Sequence, residues 1–302
     1  MEGREMRGFK RGLDTEVEKA AKAFFSSGIG KNIVDAKYSE RPAFQVCIRD
    51  NYLNVYWHGC SVLKYEPVPE QFSIHHSYVD VSQLQGKSEH YVTLDFSGND
   101  LRFGDWSFFK KIIEPAYGGN IPCLEKYCPP KSEKSKLSNY IDCEKPLLMD
   151  LEVAFARQNN RPEKKRSFVA DRVDMAELII EGNSPMLRLV EVKLATDPRL
   201  RSETKPEIMN QMGFYREFLR SQKPKILSSY ISIAQNYKAL GLTHLDGEML
   251  KRFIERPAIH PEPHLLVLGT RDDLRGRKSC HWATLQELFK KDEYPVPHLH
   301  AI

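Results

Sequence analysis

The sequence lacks any long apolar run. Its 302 residues contain no stretch that approaches the about 20 apolar residues of a membrane-spanning helix. The opening residues, MEGREMRGFKRG, are charged and carry no apolar core of a signal peptide. From the sequence we therefore expect a protein that has no membrane partner and is cytoplasmic.

The sequence also has few cysteines and little net charge. Six cysteines are spread along the chain, and the net charge of +4 permits nucleic-acid binding without requiring it. In an unexported chain the cysteines are expected to be reduced thiols, and Cys123, Cys128 and Cys143 lack the spacing of a zinc site. The chain has no P-loop, no dinucleotide-binding glycine pattern and no nucleophile elbow. These absences exclude the commonest nucleotide-binding and serine-hydrolase classes.

The first feature that the sequence does contain is a β-rich N-terminal region. Apolar residues recur at helical spacing over residues 13–26, which predicts a helix. Residues 44–96 are rich in Val, Ile, Tyr and Phe and are interrupted by turn residues, which predicts a small antiparallel sheet. We therefore interpret residues 1–100 as a β-rich region of unknown role, with the capacity to bind a protein partner, and residues 101–302 as a second domain.

The second domain alternates strands and helices. The pattern predicts a helix over 106–119, a polar loop over 129–146, a strand over 147–157 and a hairpin over 171–193. It then predicts helices over 207–221 and 223–241, a strand over 264–269 and a helix over 282–291. A hairpin followed by a helical crossover and a further strand indicates an α/β domain with a mixed sheet flanked by helices.

The hairpin, DRVDMAELIIEGNSPMLRLVEVK, carries an unusual group of charges. A turn at residues 182–185 places Glu191 opposite residues 174–176, so Asp174 and Glu191 come close while Asp171 lies beyond them. Lys193 follows Glu191 by two residues and shares its face of the strand. The neighbouring residues are apolar, which indicates that these charges lie on a largely buried strand.

Two partly buried carboxylates repel each other, and a divalent cation between them removes that conflict. Mg²⁺ prefers oxygen ligands and is commonly held by one or two carboxylates together with a substrate phosphate. A neighbouring lysine can orient or activate the attacking water and neutralise charge on the phosphate. The group of Asp174, Glu191 and Lys193 therefore fits phosphodiester hydrolysis, although an isolated Glu-x-Lys is more often an ordinary ion pair.

The segments RVD and LRLVEVK resemble the PD-(D/E)xK nuclease superfamily, and Gln211-Met-Gly-Phe-Tyr215 is similar to the Q-x-x-x-Y signature of its RecB-like branch. The resemblance covers about residues 147–221 and implies a restriction-endonuclease-like fold for the second domain.

Residue by residue, the resemblance implies that Asp174 and Glu191 are ligands of Mg²⁺ or Mn²⁺ and that Lys193 is the catalytic lysine. It implies that Gln211 and Tyr215 are accessory groups near the substrate backbone, with a core role as the alternative for Tyr215.

Two positions stay open. Asp171 lies in an A-D-R-V-D context that resembles the RecB-like pattern, and it is the alternative to Asp174 as the metal ligand. The family often has a further acid upstream, for which Glu152 and Glu114 are the candidates. Either acid is better explained by a surface charge, since acidic side chains are mostly exposed.

Basic residues surround the candidate site in the sequence and suit contacts with a phosphate backbone. They are Arg157, Arg161, Lys164, Lys165, Arg166, Arg172, Arg199, Arg201 and Lys205. The resemblance favours DNA over RNA. The sequence therefore predicts a metal-dependent deoxyribonuclease, acting in repair, restriction or defence against foreign DNA. The alternative is a non-catalytic module of the same fold that binds nucleic acid or protein.

Overall fold

The structure is a computed structural model. It describes residues 9–38, 41–42, 44–57, 59–75, 91–94, 132–155, 171–202, 204, 206–242, 246–270, 273 and 281–301. The chain divides into two compact units. The first contains residues 1–10, 140–231 and 251–302, and the second contains residues 11–139 and 232–250. Each unit is built around a five-stranded sheet, so the chain is a mixed α/β protein.

The described helices are α1 (Thr15–Ser26), α2 (Gly28–Asp35), α3 (Glu133–Glu144), α4 (Glu207–Leu240), α5 (Gly247–Glu255) and α6 (Trp282–Lys291). A short 3₁₀ helix spans Pro198–Leu200. The strands of the second unit are β1 (Lys37–Tyr38), β2 (Arg41–Pro42), β3 (Gln45–Ile48), β4 (Leu53–Trp57), β5 (Cys60–Pro67), β6 (Glu70–His75) and β7 (Tyr91–Leu94). Those of the first unit are β8 (Leu147–Phe155), β9 (Asp171–Glu181), β10 (Ser184–Leu194), β11 (His264–Leu268) and β12 (His298–His300).

The sheet of the first unit is mixed, as the sequence predicts. Its strand order is β12-β11-β10-β9-β8. The strands β8, β9 and β10 pair antiparallel, and β10, β11 and β12 pair parallel. A parallel pair needs a long crossover, which α4 and α5 supply between β10 and β11. The central strand β10 is buried at most positions, which explains its nearly continuous apolar sequence.

The helix α4 is a correction to the sequence analysis, which predicts two helices over 207–221 and 223–241. The structure has one helix of 34 residues with Pro224 inside it. A proline removes one helical hydrogen bond and usually breaks or bends the helix. Here the buried apolar face continues across the proline, from Leu219 to Ile226 and Tyr230. Packing of that face stabilises the helix by more than the lost hydrogen bond destabilises it.

The polar segment 129–146 is a second correction, because it is not a loop over its described part. Residues 133–144 form α3. The side chain of Ser132 accepts a hydrogen bond from the backbone N–H of Ser135 at 3.2 Å and so caps the helix. Leu137 is buried, which gives this polar helix an apolar anchor.

The second unit contains the antiparallel sheet that the sequence predicts within residues 44–96. Strands β3 to β7 pair in chain order, each antiparallel to the next. The rings of Phe24, Tyr65 and Phe72 form an aromatic cluster, with centroids 4.2 to 5.5 Å apart. This cluster packs α1 on the sheet and accounts for its buried face.

The sequence analysis did not predict six short elements, which are α2, α5, β1, β2, β12 and the 3₁₀ helix. Of these, α5 could have been predicted, because an aspartate precedes it, as at many helix starts. Asp246 accepts a hydrogen bond of 2.9 Å from the backbone N–H of Glu248 there. The predicted helix over 106–119 and the predicted domain boundary at residues 100/101 both lie outside the described residues and stay predictions.

Among the described helices, none is long and apolar enough to cross a membrane.

Candidate active site

The hairpin β9–β10 brings Asp174 and Glu191 together. The two strands pair from Glu181 opposite Ser184, so the turn contains only Gly182 and Asn183. The positive φ of 61° at Gly182 is a conformation that glycine adopts without strain. The last pair of this register is Val190 with Met175, and one further residue along each strand brings Glu191 opposite Asp174, as the sequence predicts.

The paired register between β9 and β10 ends just before these acids, with Val190 opposite Met175. On its other side β10 pairs with β11 over residues 190–194, and in that register Glu191 lies opposite Leu265. A side chain replaces the strand's backbone partner on the side of β9, because Asp174 Oδ2 accepts a hydrogen bond of 2.7 Å from the backbone N–H of Val192. Asp174 is therefore fixed against the strand that carries Glu191.

Lys193 lies between the two carboxylates. Its ammonium donates a hydrogen bond to Glu191 Oε1 and another, of 2.6 Å, to the carbonyl oxygen of Val192. The same nitrogen is 3.7 Å from Asp174 Oδ2. The side chains of Lys193 and Glu191 are each 2% exposed, whereas that of Asp174 is 25% exposed. Solvent or a ligand thus reaches the pair from the side of Asp174.

The helix α4 orients Glu191 through the two residues of the Q-x-x-x-Y segment. Gln211 Nε2 donates hydrogen bonds to Glu191 Oε1 at 2.7 Å and to the Tyr215 hydroxyl at 2.6 Å. The Tyr215 hydroxyl lies 3.0 Å from Glu191 Oε2 and 2.5 Å from the carbonyl oxygen of Arg172, either of which can accept its single hydrogen. The structure therefore places Gln211 and Tyr215 on the carboxylate of Glu191.

Burial sets the protonation of these groups. Burial and then the negative charge of Asp174 raise the pKa of Glu191 to about 8, against the opposing effect of Lys193. Burial likewise raises the pKa of Asp174, although Lys193 and the Val192 N–H act in the other direction. Burial and then the charge of Glu191 raise the pKa of Tyr215, so its hydroxyl remains a hydrogen-bond donor.

The upstream acid Glu152 lies near Asp174. The strand β8 pairs Leu151 with Met175 and Val153 with Val173, which sets Glu152 at the level of Asp174. Its negative charge contributes to the raised pKa of Asp174. Glu152 has a φ of 49°, a rare conformation for a residue other than glycine and one that concentrates at functional sites.

The candidate acid Asp171 and the neighbouring acid Asp150 are placed differently. Asp171 is the first residue of β9 and pairs with Phe155 of β8. Asp150, a neighbour of Glu152, is fully buried and accepts a hydrogen bond of 3.4 Å from the Tyr230 hydroxyl. Glu114 lies outside the described residues. The choice between Asp171 and Asp174 as the ligand stays a prediction, and the described contacts of Asp174 favour it.

A structural ion pair in the same sheet differs from this group. Glu177 on β9 is buried and is met by one arginine, Arg188 on β10, whose Nε and Nη2 donate to its Oε1 at 2.9 and 2.7 Å. One negative charge there faces one positive charge. At the candidate site two carboxylates share Lys193, with the charge of Glu152 close by. The site therefore gathers three acidic side chains around one lysine, whereas among the described residues Glu177 faces Arg188 alone.

The donor set fits a hard divalent cation. Asp174 and Glu191 offer carboxylate oxygens, and each oxygen retains acceptor capacity beyond the hydrogen bonds that it receives. Within the described residues, no three His, Cys, Asp or Glu side chains form a group arranged to hold a metal ion. Two carboxylates suffice for Mg²⁺, which keeps several waters and takes further oxygens from substrate phosphate. If a divalent cation binds here, Asp174 and Glu191 are the residues that would hold it.

The segment after β10 adds a residue that the sequence analysis missed. Asp197 precedes the 3₁₀ helix and forms an ion pair with Arg199, one of the basic residues expected near the site. The Asp-Pro pair at 197–198 is a typical helix start and could have indicated it. Arg172 is exposed, and the basic residues from Arg157 to Arg166 lie outside the described part of the chain.

Comparisons with protein-family models, with curated proteins and with solved structures find no match for this chain. The argument for function therefore depends on the residues and the geometry given above.

Proposed function

We propose that this protein is a Mg²⁺- or Mn²⁺-dependent nuclease of the PD-(D/E)xK type, with a restriction-endonuclease-like core, that hydrolyses phosphodiester bonds of DNA. The observation that carries the proposal is the convergence of Asp174 and Glu191 around Lys193 on strands that separate at that point. The element order from α3 to β11, a helix, three antiparallel strands, a helical crossover and a parallel strand, supports it.

Each residue has a definite part in the reaction. Mg²⁺ held by Asp174 and Glu191 would supply charge neutralisation at the scissile phosphate and a more acidic attacking water. Lys193 orients that water and counters the charge that develops on the phosphate. The water gives up one proton to solvent as its oxygen bonds to phosphorus, the bond from phosphorus to the leaving sugar oxygen breaks, and that oxygen takes up one proton from solvent. Gln211 and Tyr215 hold the Glu191 carboxylate in position.

The setting of the reaction follows from the same proposal. The substrate is DNA rather than RNA, and the process is repair, restriction or defence against foreign DNA in the cytoplasm. The antiparallel sheet of the second unit then serves recognition of the substrate or of a protein partner.

A second candidate is a binding module without catalysis. Its support is the ion pair of Lys193 with Glu191, which neutralises one carboxylate without any metal. It leaves the charge of Asp174 and the three-residue arrangement of Gln211, Tyr215 and Glu191 without a purpose beyond structure. The nuclease explains more of the observed contacts and is the function that we favour.

The test is cleavage of labelled DNA by the full-length protein during a titration of Mg²⁺ or Mn²⁺. Single-stranded, duplex and branched substrates are compared for the wild type and for Lys193→Met, which retains the apolar length of the side chain. We expect cleavage to require the metal and Lys193→Met to lower the rate by about 10² or more, the usual contribution of such a group.

A matched control is Lys290→Met, which removes an exposed lysine that pairs with Glu287 on α6. We expect it to cleave at the wild-type rate. Melting temperatures of both variants establish that they fold. A wild type that cleaves none of the substrates with either metal, or equal cleavage by Lys193→Met and Lys290→Met, would overturn the proposal.

A further inference from the structure

The segment that leaves β10 is held firmly beside the candidate site. The backbone N–H of Ala195 donates to the carbonyl oxygen of Leu268 at 2.9 Å, and that of Asp197 donates to the carbonyl oxygen of Leu194 at 2.8 Å. Ala195 and Leu200 are both 1% exposed and anchor the two ends of the segment. A side chain at Gly269 would approach the Ala195 Cβ to 2.7 Å, which shows how closely the backbones pack.

Within this segment Asp197 fixes the guanidinium of Arg199. Arg199 Nε donates to Asp197 Oδ1 at 3.0 Å, and Nη2 donates to Oδ2 at 2.7 Å. The backbone N–H of Arg199 donates to the same carboxylate at 2.8 Å. Burial acts to raise the pKa of Asp197, but the hydrogen bonds from Arg199 outweigh it and lower that pKa. Asp197 is therefore a charged partner that sets the plane of the guanidinium.

The two members of this pair differ in exposure. The Asp197 side chain is 10% exposed and the Arg199 side chain is 37% exposed. The carboxylate is thus covered, while the guanidinium presents part of its surface to solvent. An ion pair of this kind adds at most a little stability, since exposed pairs are weak. The arrangement orients an arginine rather than burying a charge.

Arg199 is also electrostatically close to the carboxylates. Its positive charge is among the effects that lower the pKa of Asp174, against the larger effect of burial. The charge of Lys193 in turn helps to lower the pKa of Asp197. The Arg199 guanidinium therefore lies within electrostatic reach of the Asp174 carboxylate.

We propose that Arg199 contacts a phosphate of the nucleic-acid backbone beside the scissile bond, and that Asp197 is the residue that positions it. This inference rests on the proposed nuclease function and names a substrate contact for it. A planar guanidinium with a fixed orientation matches phosphate oxygens better than a lysine ammonium does. Because the phosphate is common to all nucleotides, the contact gives affinity and register without reading the base sequence.

The experiment measures binding and cleavage separately, with the full-length protein. Binding of fluorescein-labelled single-stranded and duplex DNA is titrated in EDTA at several salt concentrations for the wild type, Arg199→Gln, Arg199→Lys and Asp197→Asn. Steady-state cleavage in Mg²⁺ gives KM and kcat for the same proteins. The matched control is Arg220→Gln, which removes an exposed arginine of the same unit that pairs with Glu262.

We expect Arg199→Gln to weaken binding and raise KM by roughly three- to tenfold, with a smaller effect on kcat. Because one phosphate contact is lost, the plot of the logarithm of the binding constant against the logarithm of the salt concentration should become less steep. The expected change in slope is about 0.7 on single strands and about 0.9 on duplex. Arg199→Lys retains the charge and should keep the wild-type slope with an intermediate KM. Asp197→Asn should also keep the slope and raise KM, because the guanidinium is present but less firmly oriented.

Identical binding, slope and KM for Arg199→Gln and Arg220→Gln would overturn the inference, as would a wild type that binds no nucleic acid. A loss of cleavage with unchanged binding and KM also counts against it, since a merely structural role gives that result. If the wild type binds DNA through Arg199 but does not cleave it, the nuclease proposal fails, and of the inference only the contact of Arg199 with a backbone phosphate stands. If the wild type cleaves and Arg199→Gln matches the control, only the arginine contact fails.

Discussion

Glu191 is the residue on which the contacts of the site converge. One of its oxygens accepts hydrogen bonds from Lys193 and Gln211, and the other lies within hydrogen-bonding distance of the Tyr215 hydroxyl. A carboxylate that is buried to this extent needs such donors, because an uncompensated buried charge is strongly destabilising. The sequence spacing shows that Gln211 and Tyr215 share a helix face. It could not show that this face meets Glu191, because that contact depends on how α4 packs on the sheet.

The raised pKa of Glu191 predicts how the stability of the metal-free protein depends on pH. With the folded pKa at about 8 and an ordinary value when unfolded, the folded state binds the extra proton between those values. The free energy of unfolding should therefore fall as pH rises from about 5 to about 8, by at most about 1.4 kcal/mol per pH unit from this group. Glu191→Gln removes that contribution.

Urea unfolding in EDTA at several pH values checks this expectation. The control is Glu181→Gln, which changes an exposed glutamate near the hairpin turn. The difference in unfolding free energy between Glu191→Gln and the wild type should shift in favour of the variant as pH rises. A constant difference from pH 5 to pH 8 would mean that Glu191 is charged throughout that range.

Among the elements, the hairpin β9–β10 could be predicted closely and the helix α4 only in part. Strand alternation and a short turn determine which residues of a hairpin face each other, so the proximity of Asp174 to Glu191 follows from local sequence. Pro224 argues locally for two helices, yet the chain forms one. Apolar packing on both sides of the proline decides the outcome, and the local pattern does not contain that information.

Beyond Val190 and Met175 the strands β9 and β10 are joined by the Asp174 side chain, and this predicts an effect of Asp174 on stability. The Asp174 carboxylate accepts the 2.7 Å hydrogen bond from the Val192 N–H. Asp174→Ala removes that acceptor and should lower the free energy of unfolding by about 1–3 kcal/mol. Asp174→Asn retains an oxygen acceptor without the negative charge and should stay close to the wild type. Both variants should lose metal-dependent cleavage, since both remove a charged ligand.

Urea unfolding in EDTA and cleavage in Mg²⁺ on the same two variants separate the structural and chemical roles of Asp174. Equal stability of the alanine and asparagine variants would contradict the strand-bridging role. Cleavage at the wild-type rate by Asp174→Asn would contradict the role of Asp174 as a metal ligand and would favour Asp171 in that role.

At the scale of the whole molecule, each compact unit draws on more than one segment of the chain. The first unit is assembled from three segments and the second from two. Composition and periodicity act over short windows, so they indicate the antiparallel sheet of the second unit and the mixed sheet of the first. They contain no information on which distant segments share a unit. The antiparallel sheet within residues 44–96 was predictable as structure, and its role in recognition stays a prediction.

The central claim is that Asp174 and Glu191 form a divalent-metal site beside Lys193. The most direct measurement is a titration of the metal-free, full-length protein with Mn²⁺, in which electron paramagnetic resonance reports the free ion. We expect the wild type and Glu181→Gln to bind Mn²⁺ equally and Glu191→Gln to bind it at least about tenfold more weakly, as loss of a ligand should do at least as much as loss of a group that supports one. Equal Mn²⁺ binding by the wild type and Glu191→Gln, or none by the wild type in the presence of DNA, would contradict the claim.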